Sequence, residues 1–156
     1  EKITGAEATF DYVDDAKIWG TGGSVTWMKG RETPQNTNKA QDMTGYRIPP
    51  LKVIGYISYS PTDTWTNRIQ ATYFGSEDYR LNGVNSFGRY DVKSYTTADL
   101  ISSFALNKKD TLTIGLENMF NRKYYPLYSQ LLRTSNNTSH LLASGLTMKV
   151  TYSRNW

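Results

Sequence analysis

The sequence predicts an all-β chain: seven antiparallel strands forming the C-terminal part of a transmembrane β-barrel meander. Three observations predict it. Apolar and polar residues alternate with a period of two in seven stretches, several of them longer than the usual strand of about 5–6 residues. Tight polar turns alternate along the chain with long loops, which puts all the short connections at one end of a sheet and all the long ones at the other. Aromatic residues make up 13% of a 156-residue chain whose mean hydropathy is only −0.59, and they gather at strand ends on the apolar face.

Taken in order, strands 3–13 and 17–29 carry Ala6, Ala8, Phe10, Tyr12 and then Trp19, Val25, Trp27 on the apolar side. Their other side holds Glu7, Asp11, Gly20, Gly22 and Ser24. Strand 50–60 sets Leu51, Val53, Ile57 and Tyr59 against Lys52, Tyr56 and Ser58. Strand 64–77 sets Trp65, Ile69, Ala71 and Tyr73 against Arg68, Gln70 and Thr72. Strand 95–106 places Ala98, Leu100, Phe104 and Leu106 opposite Thr97, Asp99 and Ser103, and strand 111–120 places Leu112, Ile114, Leu116 and Phe120 opposite Thr113, Gly115 and Glu117. The last strand, 142–156, is expected to pair antiparallel with 111–120. Leu146, Met148, Val150 and Tyr152 point outward in it, and Thr147, Lys149 and Thr151 inward.

Residues 14–16, 61–63 and 107–110 are the tight turns, rich in Asp, Asn and Pro. The long loops are 30–48, 78–94 and 121–139. The polar face holds Glu7, Asp11, Lys52, Arg68, Asp99, Glu117 and Lys149, whereas the apolar face of the strand centres holds no charge. A cation facing lipid at mid-depth costs about 2–4 kcal/mol, so a membrane wall must keep that face clean. A soluble sandwich also confines its charges to one face, so strand length, loop asymmetry and aromatic placement carry the distinction. Glu117 and Lys149 fall at similar depth on adjacent strands, and a cross-strand ion pair is expected.

Other classes drop out. No run of 18 apolar residues offers a helical span, and a net charge of +4 is too mild to argue for nucleic acid. Bacterial single-chain barrels have even strand numbers, and an open sheet edge in lipid leaves amides unsatisfied. Residues 1–156 are therefore expected to be the C-terminal segment of a larger barrel, with the remaining strands outside this chain.

Several stretches resemble one family. Ile3–Thr4–Gly5–Ala6–Glu7 resembles the "GxE" strand opening of TonB-dependent outer-membrane receptors. Ile48–Pro49–Pro50 through Tyr59–Ser60–Pro61–Thr62–Asp63–Thr64–Trp65 is similar to their strand–turn–strand with Pro, Tyr and Trp. Ser94–Tyr95–Thr96–Thr97–Ala98–Asp99–Leu100 resembles a "Y…D" opening, and Gly115 to Tyr124 resembles the "N-L-F-N-x-x-Y" segment, with Met119 where Leu is usual. Gly145–Leu146 through Tyr152 to Trp156 resembles the closing strand with its terminal aromatic. The ordered set spans essentially the whole chain.

This resemblance implies a barrel of about 22 strands with an N-terminal plug in its lumen. It implies high-affinity, energised import of a ferric siderophore through the outer membrane of a Gram-negative bacterium, without catalysis. The alternative is a passive porin. Loops 30–48, 78–94 and 121–139 are then extracellular and the C-terminus periplasmic. Expected partners are the ferric siderophore, the TonB energy-coupling protein through the N-terminal part, the barrel-assembly machinery through the last strand, and outer-membrane lipid with lipopolysaccharide. No nucleic acid, resident cofactor or metal is expected; iron arrives only as the siderophore chelate. His-centred haem motifs are missing, His140 being the single histidine.

No Ser–His–Asp arrangement, metal-ligand spacing or Gly-rich phosphate loop stands out, so the chain is expected not to be an enzyme. Ligand candidates come from the long loops: Tyr79, Arg80, Arg89 and Tyr90 in one, and Tyr124, Tyr125, Tyr128 and Arg133 in another. Guanidinium groups suit an anionic chelate, and Tyr rings suit flat chelating groups. The luminal charges Glu7, Asp11, Arg68, Asp99, Glu117 and Lys149 are expected to pair with each other or with the plug.

Overall fold

The computed structural model describes residues 1–35, 37–132 and 141–156. Its elements in chain order are β1 (Lys2–Val13), β2 (Trp19–Glu32), β3 (Gln41–Asp42), β4 (Lys52–Thr62), β5 (Trp65–Phe74), β6 (Glu77–Asp78), β7 (Asp91–Val92), β8 (Tyr95–Ala105), β9 (Asp110–Glu117), α1 (Leu127–Leu131) and β10 (Thr147–Arg154). The main sheet runs β1-β2-β4-β5-β8-β9-β10, with β3 added to the end of β2, and β6 and β7 form a separate two-stranded ladder. All pairings are antiparallel between strands consecutive along that path, which is a meander.

The register keeps the expected apolar positions that fall within the strands on one side; Leu51, Leu106, Phe120 and Leu146 lie beyond the strand ends. Ala8 faces Val25, which faces Val53, which faces Tyr73. Ile57, Ile69, Leu100, Leu116 and Met148 form another continuous row. A slip of one residue in any pairing would turn a whole strand over, so the agreement across six ladders reflects the period-two pattern itself. The apolar side is also the more open one. Ile57 is 59% exposed, Ile69 53% and Val150 57%. The strands thus share no packed core of their own. The buried apolar residues among those described are Met43, Ile48, Tyr79, Tyr90, Val92, Tyr95 and Leu131, all at the long-loop end. A sandwich would bury one sheet face against another; this sheet leaves its apolar face to its surroundings.

The short turns close with their own side chains. Asp14 Oδ1 accepts from the backbone N–H groups of Ile18 and Trp19 at 2.8 and 3.0 Å, and Lys17 takes a positive φ. Asn107 Oδ1 accepts from Lys109 and Asp110. Just above these turns, Trp19 packs on Tyr59 with centroids 4.5 Å apart, and Trp65 stacks on Phe104 at 5.6 Å. The Trp65 indole donates to Ser102 Oγ, which donates on to Asn67, so the polar atoms on this outer face are satisfied within the sheet.

On the opposite face, Lys149 Nζ lies 2.5 Å from Glu117 Oε1, the cross-strand pair expected from counting along the strands. Asp11 and Arg68 on the same face are joined through a neutral ring. Tyr56 donates to Asp11, and the Arg68 guanidinium sits 3.6 Å over the Tyr56 ring and donates to Gln70. Gly22 leaves room for this contact: a Cβ there would lie 2.5 Å from Asp11 Oδ1 and 2.7 Å from the Tyr56 ring.

Several boundaries differ from the sequence reading. The last strand is Thr147–Arg154, shorter than 142–156. The cause is local: Ala143 N–H goes to Tyr124 O, Leu146 N–H goes to Asn121 Oδ1, and Ser144 O accepts from Asn118, so the backbone before 147 is engaged by a loop. β9 ends at Glu117 because Asn118 adopts a φ of 50° and leaves the strand. β2 runs to Glu32, three residues beyond its expected end, because β3 continues its ladder. The loops are not plain connections either, since they contain β3, the β6–β7 ladder and α1.

Candidate functional site

Antiparallel order places the ends of β2, β5 and β9 beside the starts of β4, β8 and β10, so the three long connections emerge together. They fold into one body. Leu131 of α1 is fully buried against Tyr79 and Val92, with Tyr46 and Leu127 packed around them. Each loop supplies part of this small core, which explains isolated apolar residues such as Val92 and Leu131 in otherwise polar stretches.

Polar contacts fasten the same junction. Gln130 is buried, accepts the Lys93 N–H at 2.7 Å, and donates to Lys93 O and Tyr125 O at 3.0 and 2.8 Å. Arg89, 5% exposed, donates to Asp42 O at 2.7 Å and pairs with Glu32 at 3.1 Å. Glu32 also receives Arg47, which forks onto Glu1 at 2.7 and 2.8 Å. That fork lies in the open, and the Glu1 hydrogen bonds keep the Arg47 guanidinium more firmly protonated than usual. Gly45 N–H donates to Gly88 O, tying two loops directly. Gly88 needs its identity: its φ is +70°, and a Cβ would meet the Tyr46 ring at 2.5 Å.

The predicted ligand residues separate into two groups. Tyr79 and Tyr90 are buried in the loop core, and the Tyr79 hydroxyl donates to Ile48 O at 2.7 Å. Burial, helped by the nearby charge of Glu77, pushes the Tyr79 phenol well above its ordinary range, so it stays a neutral donor. Arg89 is held inside by Glu32 and the Asp42 carbonyl. Arg80 clasps Asp78 through two hydrogen bonds of 2.8 and 2.7 Å, and these hold the Asp78 carboxyl down to about 2. Tyr124 stacks on Tyr95 at 4.6 Å, and Tyr95 stacks in turn on Phe74 at 4.9 Å. The more open rings are Tyr125, 41% exposed, and Tyr128, 64% exposed. Arg133 and His140 lie outside the described residues.

Two aromatic residues that the sequence reading did not single out join Tyr128. Tyr46 packs edge-on against Tyr128 at 5.3 Å and stacks on Phe87 at 5.0 Å, so one ring from each loop meets at a single point. Phe87 is 68% exposed, an unusual place for a Phe. The Tyr46 hydroxyl oxygen is buried with no hydrogen-bond partner among the described residues, and burial raises its pKa. The pattern Gly45–Tyr46 and Phe87–Gly88, an aromatic beside a glycine in each of two loops, was the available signal. Nearby, a cleft of about 350 Å³ opens between Trp27, Met43, Ile48, Pro50 and Tyr79.

The motifs of the sequence also meet in space. Asp99 accepts the Asn118 N–H at 2.8 Å; the Asn118 side chain bonds Arg122 N–H and O and Ser144 O; and Asn121 Oδ1 receives Leu146 N–H. Asn118 and Asn121 both take positive φ, near 50°. The Asn–Met–Phe–Asn segment is thus a self-capped turn that steers the chain from β9 into the loop and aligns the start of β10. Among the described residues, no group of three or more His, Cys, Asp or Glu side chains converges as a metal site.

A family model described as TonB dependent receptor-like, beta-barrel, matches residues 1–119. The ferric aerobactin receptors of Escherichia coli and Klebsiella pneumoniae are each 32% identical to this chain over 129 residues. That match covers 83% of this chain and 16% of each receptor, so the chain spans only a small part of the length of these relatives. Among solved structures, the copper transporter OprC matches with a TM-score of 0.74 at 17% identity, over 99% of this chain and 24% of that one. A variant of the ferric enterobactin receptor PfeA from Pseudomonas aeruginosa matches with a TM-score of 0.67 at 16% identity, over 97% and 22%. At those identities the structural matches speak for the fold, a stretch of barrel wall, and the family model speaks for descent. The chain belongs to the TonB-dependent receptor family, within its β-barrel domain.

Proposed function

We propose that this chain is the C-terminal stretch of the barrel of an outer-membrane receptor that imports a ferric siderophore, and that its long-loop end is the extracellular, ligand-catching side. In this reading the edges β1 and β10 pair with strands outside the chain to close a plugged barrel, because unpaired strand edges do not persist in lipid. The TonB protein acts through the N-terminal part of the receptor, and the C-terminal strand is the one the assembly machinery engages.

The observation that carries the reading is the meeting of Tyr46, Phe87 and Tyr128 on a loop body locked by Leu131 and Gln130. A rigid support lowers the entropy lost when a ligand settles on it, and exposed rings suit the flat or apolar parts of a chelate. The rings act by stacking and leave the iron to its chelator. Sequence likeness to ferric aerobactin receptors supports the same ligand class.

The test is uptake of radiolabelled ferric aerobactin and of a ferric catecholate by cells making the intact receptor, with and without Phe87→Ala plus Tyr128→Ala. Surface expression is measured alongside. Losing two stacking contacts should weaken half-saturation about tenfold at unchanged expression. Unchanged uptake at equal expression would remove the cluster from the binding site. Ohmic conductance of the intact protein in planar bilayers, without saturable uptake, would favour the porin.

A further inference from the structure

Tyr46 carries an oxygen that the folded loop body does not use. Its ring is fixed on several sides: it stacks on Phe87, meets Tyr128 edge-on, and lies so close to Gly88 that a Cβ there would reach it at 2.5 Å. It also packs on the core of Tyr79, Val92 and Leu131, and the Gly45 N–H donates to Gly88 O at 3.0 Å, which pins the backbone beside it. A phenylalanine would make the same stacking and edge contacts. The hydroxyl is buried, with no hydrogen-bond partner among the described residues. Its neighbours differ: the Tyr79 hydroxyl donates to Ile48 O at 2.7 Å, and the Tyr95 hydroxyl accepts from the Leu127 N–H at 3.4 Å.

A buried hydroxyl without a partner destabilises the fold that holds it, because it has given up water and gained nothing in return. A bound ligand with an oxygen acceptor supplies what the free body lacks. Burial raises the Tyr46 pKa, so at neutral pH the group is a protonated donor. Two other phenols, those of Tyr90 and Tyr128, lie close enough to act on it electrostatically. Tyr90 is buried in the loop core and cannot give way. Tyr128 is open, and its ring rests edge-on against Tyr46. Exposed side chains change rotamer within nanoseconds, so Tyr128 is the ring that can turn aside.

We propose that the Tyr46 hydroxyl is a specificity-determining donor for the ferric chelate. It is uncovered when Tyr128 turns aside, and it is met by an oxygen of the chelator that does not hold the iron, a carboxylate or an amide carbonyl. Phe87 then carries the apolar part of the ligand while Tyr46 reads the oxygen beside it. A site built on such a donor rejects a ligand without the acceptor, because the donor is then left unpaired. This role rests on the reading of Tyr46, Phe87 and Tyr128 as the ligand-catching surface, and it names the atom there that discriminates.

The experiment uses the intact receptor purified in detergent, with equilibrium binding of radiolabelled ferric aerobactin and of a ferric catecholate. The wild type is compared with Tyr46→Phe and with Phe87→Ala plus Tyr128→Ala. Tyr46→Phe keeps the ring and removes only the oxygen. It should weaken binding of the chelate that the wild type takes by about tenfold. In the free receptor the same variant should leave hydrogen exchange of the loops and heat-dependent gel mobility unchanged or improved, which a hydroxyl with a structural role would not. Unchanged affinity in Tyr46→Phe, beside lost affinity in the Phe87 and Tyr128 variant, would overturn the donor role and keep the surface. Faster loop exchange in free Tyr46→Phe would show that the oxygen already has a partner, and would overturn the role as well. Unchanged affinity in both variants, or no binding of either chelate by the wild type, would remove the surface from the binding site and the donor role with it.

Discussion

Replacing Leu131 with Ala tests whether the three long loops are one folded body. Leu131 is 0% exposed and touches Tyr79 and Val92, and its methyl groups crowd so closely on Gly45 that a Cβ there would sit 2.8 Å away. Truncation removes about three carbons from a site whose neighbours are held by Gln130 and Arg89 and cannot collapse freely. Buried Leu→Ala changes of this kind cost about 3 kcal/mol. The strand centres contribute no fully buried apolar residue to the loop core among the described residues, so the loss should stay local and appear as about a hundredfold drop in loop protection. Hydrogen exchange of the intact receptor in micelles reads this directly. Peptides covering 43–48, 79–92 and 127–132 should exchange together and faster, while β1, β4 and β9 keep their protection. Unchanged loop exchange, or equal loss across the strands, would refute the picture of a separately cored loop body.

Two further outcomes follow from particular side chains. Asn118→Ala removes three hydrogen bonds and places Ala at a φ of 50°, so the unfolding transition seen by heat-dependent gel mobility should fall; at about 1 kcal/mol per bond and about 1 for the backbone, Asn118→Gly should be the milder change. Asp78 has its carboxyl lowered by the Arg80 hydrogen bonds to about 2, so the clasp is fully present above the ordinary carboxylate range and is lost only as pH falls through about 2. A carbon-13 titration of the Asp78 carboxyl should show that midpoint, and Arg80→Gln should return it toward about 4.

The barrel wall was legible in the sequence because one physical rule governs it: every second residue meets an apolar medium. That rule placed Ile57, Ile69 and Val150 on one face and Glu117 beside Lys149 on the other, and the structure agrees at each. The loop end obeyed no such period. Tyr79, Arg89 and Tyr90 read as ligand residues because they are aromatic or basic in a loop, yet they are buried there in holding the loop body together. Tyr46 and Phe87 went unremarked because their partners lie in other loops, a relation that local pattern does not encode. The shortened β10 has the same origin, since Asn118 and Asn121 claim the backbone that alternation alone assigned to the strand.

The central claim is that the apolar parity of these strands faces lipid. Single cysteines placed in turn at Ile57 to Ser60 and at Met148 to Tyr152 of the intact receptor, in a cysteine-free background, can carry nitroxide labels in reconstituted bilayers. Collisions with oxygen and with a water-soluble nickel complex then report depth and side. The account predicts high oxygen and low nickel accessibility at Ile57, Tyr59, Met148, Val150 and Tyr152, and the reverse at Ser58, Lys149 and Thr151. Opposite parity, or no alternation at all, would contradict it.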